Sequence, residues 1–218
     1  MKNLLRLLAL ACLSLALAAC AYNAGLGGVL PTRTSNQVLF QDDFSDKAGG
    51  WTTIKANNKL IDYEKGGLRF FMNDRQFDYW SRPGLRFSDV HIEVDATKLS
   101  GPDDNDYGII CRYVDDNNFY SFLISSDGYY GISKMKGGEH TMVGANGMQV
   151  SDAIHQGNST NRIAVDCVGS TLGLSVNGKK LLEVRDTDFT SGDVGLIAGT
   201  ADQPGVDVVF GHFIVTKP

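Results

Sequence analysis

The chain has 218 residues, 43% hydrophobic and 21% charged, with a formal net charge of −5. That is ordinary globular composition, enough for one good-sized core. No Lys/Arg-rich run exists, so nucleic-acid binding and a basic membrane-surface patch lack electrostatic support.

Residues 1–20, MKNLLRLLALACLSLALAAC, read as an export signal. Lys2 and Arg6 supply the positive start and residues 7–18 the apolar stretch. Leu17-Ala18-Ala19-Cys20 resembles a bacterial lipobox, in which the Cys thiol is diacylated and the chain is cut just before it. Plain secretory cleavage after an Ala and a retained membrane helix are the alternatives. The apolar run is short for a span, which needs about 20 residues. Two or more acyl chains, at about 0.8 kcal/mol per buried CH₂, anchor a protein stably. The expected organisation is a signal peptide over 1–19, a lipidated Cys20 with a flexible Gly-, Pro- and Ser/Thr-containing tether over 20–37, and a β-sandwich domain over 38–218. The expected location is the bacterial cell envelope, on the outside of the cytoplasmic membrane or in the outer membrane. Ala21 does not look like a retention signal, which leans towards the latter.

From residue 38 the pattern is short apolar strand, tight polar turn, return strand. Strands are expected over 38–44, 59–64, 67–72, 77–81 and 85–99. In the second half of the last, Val90, Ile92, Val94 and Ala96 share one face, and Asp89, His91, Glu93, Asp95 and Thr97 the other. Residues 106–136, rich in Tyr, Phe, Ile and Val, read as three consecutive antiparallel strands. They are cut by turns at 115–118 and at Asp127-Gly128, whose Gly suits a hairpin. In the first of them Tyr107, Ile109, Cys111 and Tyr113 alternate with Gly108, Ile110, Arg112 and Val114. Both faces are largely apolar, so the strand is covered on both sides or borders a groove. Arg112 is the exception: a structural ion pair, or a ligand contact in a wet cleft. Residues 137–149 read as a weak strand plus loop. Strands follow at 162–168, at 171–176 and 179–184 joined by Asn177-Gly178, and at 193–200 and 206–216. No helix of useful length is expected in the mature chain, from Cys20 onward.

Glu93 and Asp95 share a face at the spacing of a carboxylate pair in some β-sandwich glycosidases. The Glu-x-Asp-x-x-Glu pattern of those enzymes ends here in Lys98, so the general acid/base is missing. No catalytic residue is assigned. Two acidic clusters, Asp103-Asp104-Asn105-Asp106 and Asp115-Asp116-Asn117-Asn118, are turn chemistry or a structural calcium site. No other cofactor and no other metal is expected. Beyond Cys20, Cys111 and Cys167 remain after export. They form a disulfide, or pack as two buried thiols.

Several motifs, in order, resemble the concanavalin A-like lectin/glucanase superfamily, above all its laminin-G-like and 3-keto-disaccharide-hydrolase-like bacterial members. They are Asp42-Asp43-Phe44-Ser45 with Trp51, the run from Tyr107 to Tyr113, Asn118-Phe119-Tyr120-Ser121-Phe122, Asp127-Gly128-Tyr129-Tyr130, Asn161-Arg162-Ile163, Ser175-Val176-Asn177-Gly178 and Gly192-Asp193-Val194-Gly195-Leu196. The resemblance covers roughly residues 38–217. It implies an all-β jelly-roll sandwich of two curved antiparallel sheets whose concave face often binds glycans. It departs in two places: the glycosidase carboxylate motif is absent, and Val209-Phe210-Gly211-His212-Phe213 stands where many relatives carry Phe-Asp-Asn, which loses an acid that could serve a structural cation.

Three functions are expected to compete. The first is a non-catalytic binding module on a membrane-anchored lipoprotein, with a carbohydrate as leading ligand. Its candidate contacts are Tyr79, Trp80, Tyr107, Arg112, Tyr120, Tyr129 and Tyr130. Aromatics in a sandwich are mostly core, so only some of these are expected to line a groove. The second is a glycan-cleaving enzyme of the keto-disaccharide type. It would need acids converging in the cleft, supported by His91, His140, His155 or His212, and the sequence shows no such convergence. The third is a structural lipoprotein whose partner is another envelope protein.

Overall fold

The computed structural model describes residues 37–218; the signal peptide, Cys20 and all but the last residue of the tether lie outside the described residues. Sixteen strands follow one another in this part: β1 (Val38–Asp42), β2 (Ile54–Ala56), β3 (Lys59–Glu64), β4 (Gly67–Met72), β5 (Phe77–Ser81), β6 (Val90–Ser100), β7 (Asn105–Asp115), β8 (Asn118–Ile124), β9 (Tyr129–Lys136), β10 (Glu139–Met142), β11 (Gln149–Val150), β12 (Thr160–Val168), β13 (Thr171–Val176), β14 (Lys179–Arg185), β15 (Asp193–Thr200) and β16 (Val206–Thr216). No helix occurs among the described residues.

The strands form two antiparallel sheets. Nine make one sheet in the order β14-β13-β12-β6-β16-β4-β3-β2, with β1 pairing onto β16. Seven make the other, β10-β9-β8-β7-β15-β5, with β11 on β9. Alternation decides which face each residue serves. Along β6, Val90, Ile92, Val94 and Ala96 are buried between the sheets, as their spacing predicts. From β7, Tyr107, Ile109 and Cys111 enter the same core, and Phe122, Ile132 and Leu196 join them from β8, β9 and β15. Burying each large apolar side chain contributes about 1.5–3 kcal/mol. Cys111 and Cys167 are bonded across this core, joining β7 of one sheet to β12 of the other.

Local chemistry sets the ends. Asp42 Oδ1 accepts the Phe44 N–H at 2.7 Å, and Oδ2 accepts Trp51 Nε1 at 3.0 Å. This seats Trp51 edge-on against Phe213 at 5.0 Å between ring centres. Asn177 and Gly178 both adopt positive φ, 51° and 80°, which a two-residue hairpin turn between β13 and β14 requires.

Three expectations need correction. Residues 85–89 lie outside β6: Phe87 makes only an isolated bridge to Gly192. Residues 54–56 add a short edge strand that has too few residues to show a period. Most important, the alternation of β7 fails at Arg112, where φ is +53° and the pairing with β8 slips between Cys111 and Asp115. This bulge turns Tyr113 away from the inter-sheet core. The ring instead joins Ile110, Phe119, Leu123 and Ile197 in a second apolar cluster, on the opposite face of the seven-stranded sheet.

Candidate functional site

That opposite face is the candidate site. On β5, Asp78 and Trp80 point to it; on β15, Gly195, Ile197 and Gly199; on β7, Asp106, Gly108 and Ile110. The sheet curls over this face along a diagonal. Trp80 comes from edge strand β5, yet its ring centre is 5.3 Å from Phe119 on β8, three strands away. His140, on the far edge strand β10, is near enough to Asp78 to favour its charged form. The concave side so formed, the hollow, carries the apolar cluster of Trp80, Tyr113 and Phe119 and, along β15, a row of glycines with acids at one end.

Trp80 is held from two sides. Phe119 packs on its ring, and its Nε1 donates to Asp116 Oδ1 at 3.3 Å. Asp116 also accepts the Tyr113 hydroxyl, and Arg82 lies over the Tyr113 ring at 3.8 Å. Burial and the Asp116 bond push the Tyr113 hydroxyl up to about 12, so it stays a donor.

The acids come from register. Gly199 pairs with Asp78 on one side and with Asp106 on the other, so all three lie in one row. Gly199 has no side chain to separate them. A Cβ built there would collide with Oδ1 of both carboxyl groups. The two oxygens therefore face each other across a few ångströms, and Asp106 Oδ1 is buried with no hydrogen-bond partner. Burial, then Asp78 and Asp104, push Asp106 up to about 8. Burial also raises Asp78, against the pull of His140. At neutral pH the pair thus holds a proton that two isolated aspartates would have lost. The absence of converging acids in the hollow, expected from sequence, is overturned here. No signal along the chain could have found the pair, because a third strand brings the two residues together.

This pair makes a pH prediction. A carboxyl whose pKa is raised on folding binds more protons folded than unfolded, so its contribution to stability falls as pH rises from about 3.8 to about 8. Asp106→Asn should remove most of that fall. Melting temperatures of the two proteins should draw together at pH 5 and separate at pH 8.5, with the variant higher. Equal separation at both pH values would show that Asp106 is ordinary.

Of the seven sequence candidates, two reach this hollow. Trp80 lines it, and Tyr129 stands on the same face of β9, 41% exposed. Tyr79 points to the other face, packs against the inter-sheet core and bonds Asp74 at 2.5 Å and Lys59 at 2.8 Å. Tyr107, Tyr120 and Tyr130 are buried in that core. Tyr120 donates to Asp186 Oδ1 at 2.5 Å, and Tyr130 to Gln149 Oε1 at 3.0 Å. Arg112 is 2% exposed and donates to the carbonyls of Ser88, Gly169 and Phe189 at 3.3, 2.8 and 2.9 Å, and to Asp89 at 3.2 Å. Its geometry is that of an internal tie with no room for a ligand.

The other acids are engaged elsewhere. Glu93 and Asp95 lie on the outer face of the nine-stranded sheet and both pair with Arg162, Asp95 at 2.9 Å. Lys98 is an inner-face residue, buried and paired with Asp103. It does not share their face, so the glycosidase pattern fails in space as well as in sequence. Asp115 accepts from Asn117 N and Asn118 Nδ2, both at 2.8 Å, as turn residues do. Among the described residues no group of three or more His, Cys, Asp or Glu is arranged to hold a metal ion.

Comparison with solved structures agrees on the architecture. The carbohydrate binding module CBM66 from Bacillus subtilis superposes with a TM-score of 0.62 at 17% identity, over 77% of this chain and 96% of that one. A galectin-like protein of unknown function from the same species gives 0.59 at 13%, over 83% and 96%. A mixed-linkage glucan GH16 protein from Bacteroides ovatus gives 0.57 at 10%, over 82% and 100%. The chain is therefore a jelly-roll β-sandwich of the kind shared by carbohydrate-binding modules and glycoside-hydrolase sandwich domains, a likeness of fold alone. No protein-family model matches the chain, and no curated protein is similar to it.

Proposed function

We propose that the protein is a glycan-binding module, held at the cell envelope by a lipid on Cys20 and binding sugar in the hollow of the seven-stranded sheet. The observation that carries this is Trp80 beside Asp78 on one face of β5, with Asp106 across the floor. A sugar ring has an apolar C–H face and a rim of hydroxyls. A fixed aromatic plane suits the first and carboxyl groups suit the second. Trp80 is fixed before any ligand arrives, so little ordering remains to be done on binding. The fold shared with a carbohydrate binding module supports the reading by analogy only.

The test is a glycan array probed with the full chain in detergent, beside Trp80→Ala. Binding is expected for the parent, with a loss of at least tenfold in the variant, equivalent to about 1.4 kcal/mol. Equal binding by both would remove the hollow from consideration, and silence from the parent would favour the envelope scaffold. Cys20→Ala should release the protein from the membrane fraction.

A second reading, glycan cleavage, draws on the two acids. Acid–base cleavage of a glycosidic bond uses two carboxyl groups, one of them kept protonated by its surroundings, and burial does this for Asp106. Release of reducing sugar from an array-positive oligosaccharide, lost in Asp78→Asn, would establish it.

A further inference from the structure

The carboxyl pair says more about the ligand than the aromatic plane does. Two carboxyl groups lie against each other over bare backbone, and one oxygen, Asp106 Oδ1, is buried without a partner. A buried polar oxygen left without a partner is costly, and a protonated Asp106 that donates a hydrogen bond lowers that cost. The surroundings are acidic: Asp104 acts on Asp106, and Asp103 and Asp104 act on Asp127 at the same end of the sheet. Lys98, the nearby cation, is taken by Asp103. His140 acts on Asp78 from β10, and Arg82, paired with Asp193 at 3.2 Å, sits at the other end of the face. An anion entering this end of the hollow would meet repulsion from several sides.

We propose that Asp78, Asp106 and the bare backbone of Gly199 form a hydroxyl-binding subsite that takes uncharged sugars and rejects acidic ones. The proposal rests on the glycan reading above and adds the ligand's charge class and the atoms that read it. Asp78 accepts from one hydroxyl as carboxylate; Asp106, as the acid, donates to its neighbour. Residue 199 lacks a Cβ, and the two Oδ1 atoms occupy the space it would take, which is what lets the carboxyls approach each other. The subsite works only while the pair keeps one proton, so binding weakens as the medium becomes alkaline. The charged groups facing the pair are Asp104 from the β6–β7 connection and His140 from β10.

The experiment uses the full chain in detergent with a neutral oligosaccharide taken from the array and its uronic-acid counterpart, titrated at pH 6 and pH 9.5. The parent should prefer the neutral sugar at least tenfold and lose at least tenfold in affinity at pH 9.5. Asp78→Asn should lose the acceptor and at least tenfold in affinity. Asp106→Asn, which cannot ionise, should show no alkaline loss, its affinity at pH 9.5 matching its own value at pH 6. His140→Gln should keep the alkaline loss. Gly199→Ala, which puts a methyl where the two oxygens lie and drives the carboxyls apart, should lose at least tenfold while circular dichroism stays native. Undiminished binding by Asp78→Asn and Gly199→Ala, with Trp80→Ala silent, would overturn the subsite and leave the glycan reading standing. Silence of the parent on the array would overturn both. Binding that requires added CaCl₂ and vanishes with a chelator would assign the pair to a divalent cation and also overturn the proposal.

Discussion

Arg112→Met should lower the unfolding free energy by roughly 3–5 kcal/mol, the usual cost of breaking a buried, hydrogen-bonded charge site. The guanidinium is the hub of three connections. It donates to Ser88 O and Asp89 before β6, to Gly169 O in the β12–β13 turn, and to Phe189 O before β15. Methionine replaces the aliphatic stem but not the guanidinium, and leaves three carbonyls facing apolar atoms. Arg112→Lys should recover little, because a single ammonium cannot span the directions that the planar fork covers. Urea unfolding gives the measurement. The denaturant midpoint should fall in both variants, and a Met variant within 1 kcal/mol of the parent would reduce the hub to a packing detail. Glycan binding measured well below the midpoint should survive, because Arg112 does not reach the hollow.

Arg112 also marks where sequence stops being informative. Two-residue alternation located the long strands, and β6 shows why: its inner face is apolar at Val90, Ile92, Val94 and Ala96. Asn177-Gly178 announced its turn because only a few residues tolerate that backbone. A bulge has no such mark. Arg112 sits in a run of apolar residues, and nothing in its neighbours requires a positive φ. The twist arises where Gly192 approaches so closely that a Cβ would strike the backbone at Arg112 and Tyr113. The same holds for the acids. Asp78 follows an exposed Phe77, and Asp106 ends an acidic run that reads as turn. Their meeting depends on β15 entering between β5 and β7 in one particular register, with a glycine at the crossing point. Long-range register of this kind is set by the whole sheet. Aromatic residues posed the converse problem. Tyr107, Tyr120 and Tyr130 resemble platform residues by type, and only the face they occupy sends them to the core while Trp80 and Tyr129 stay out.

The covalent tie between the sheets should matter about as much as the guanidinium. Cys111 and Cys167 are 56 residues apart, and joining them removes much of the freedom of the intervening chain once unfolded. The chain-entropy relation gives roughly 4 kcal/mol for a loop of that length. The native fold has little other need of the bond here. Both positions are fully enclosed among Ile109, Ile92, Val165 and their neighbours, and alanine is tolerated by such surroundings at the cost of a small void. Cys111→Ala/Cys167→Ala should therefore fold to the same sandwich, with native far-ultraviolet dichroism, but with its denaturant midpoint lowered by about 4 kcal/mol divided by an unchanged or slightly larger m-value. Reducing the parent should reproduce the shift, and reducing the double variant should do nothing. Equal midpoints for oxidised parent and double variant would mean that the unfolded chain is already held compact between β7 and β12, and the stability of the sandwich would then rest on its apolar core and the Arg112 hub alone.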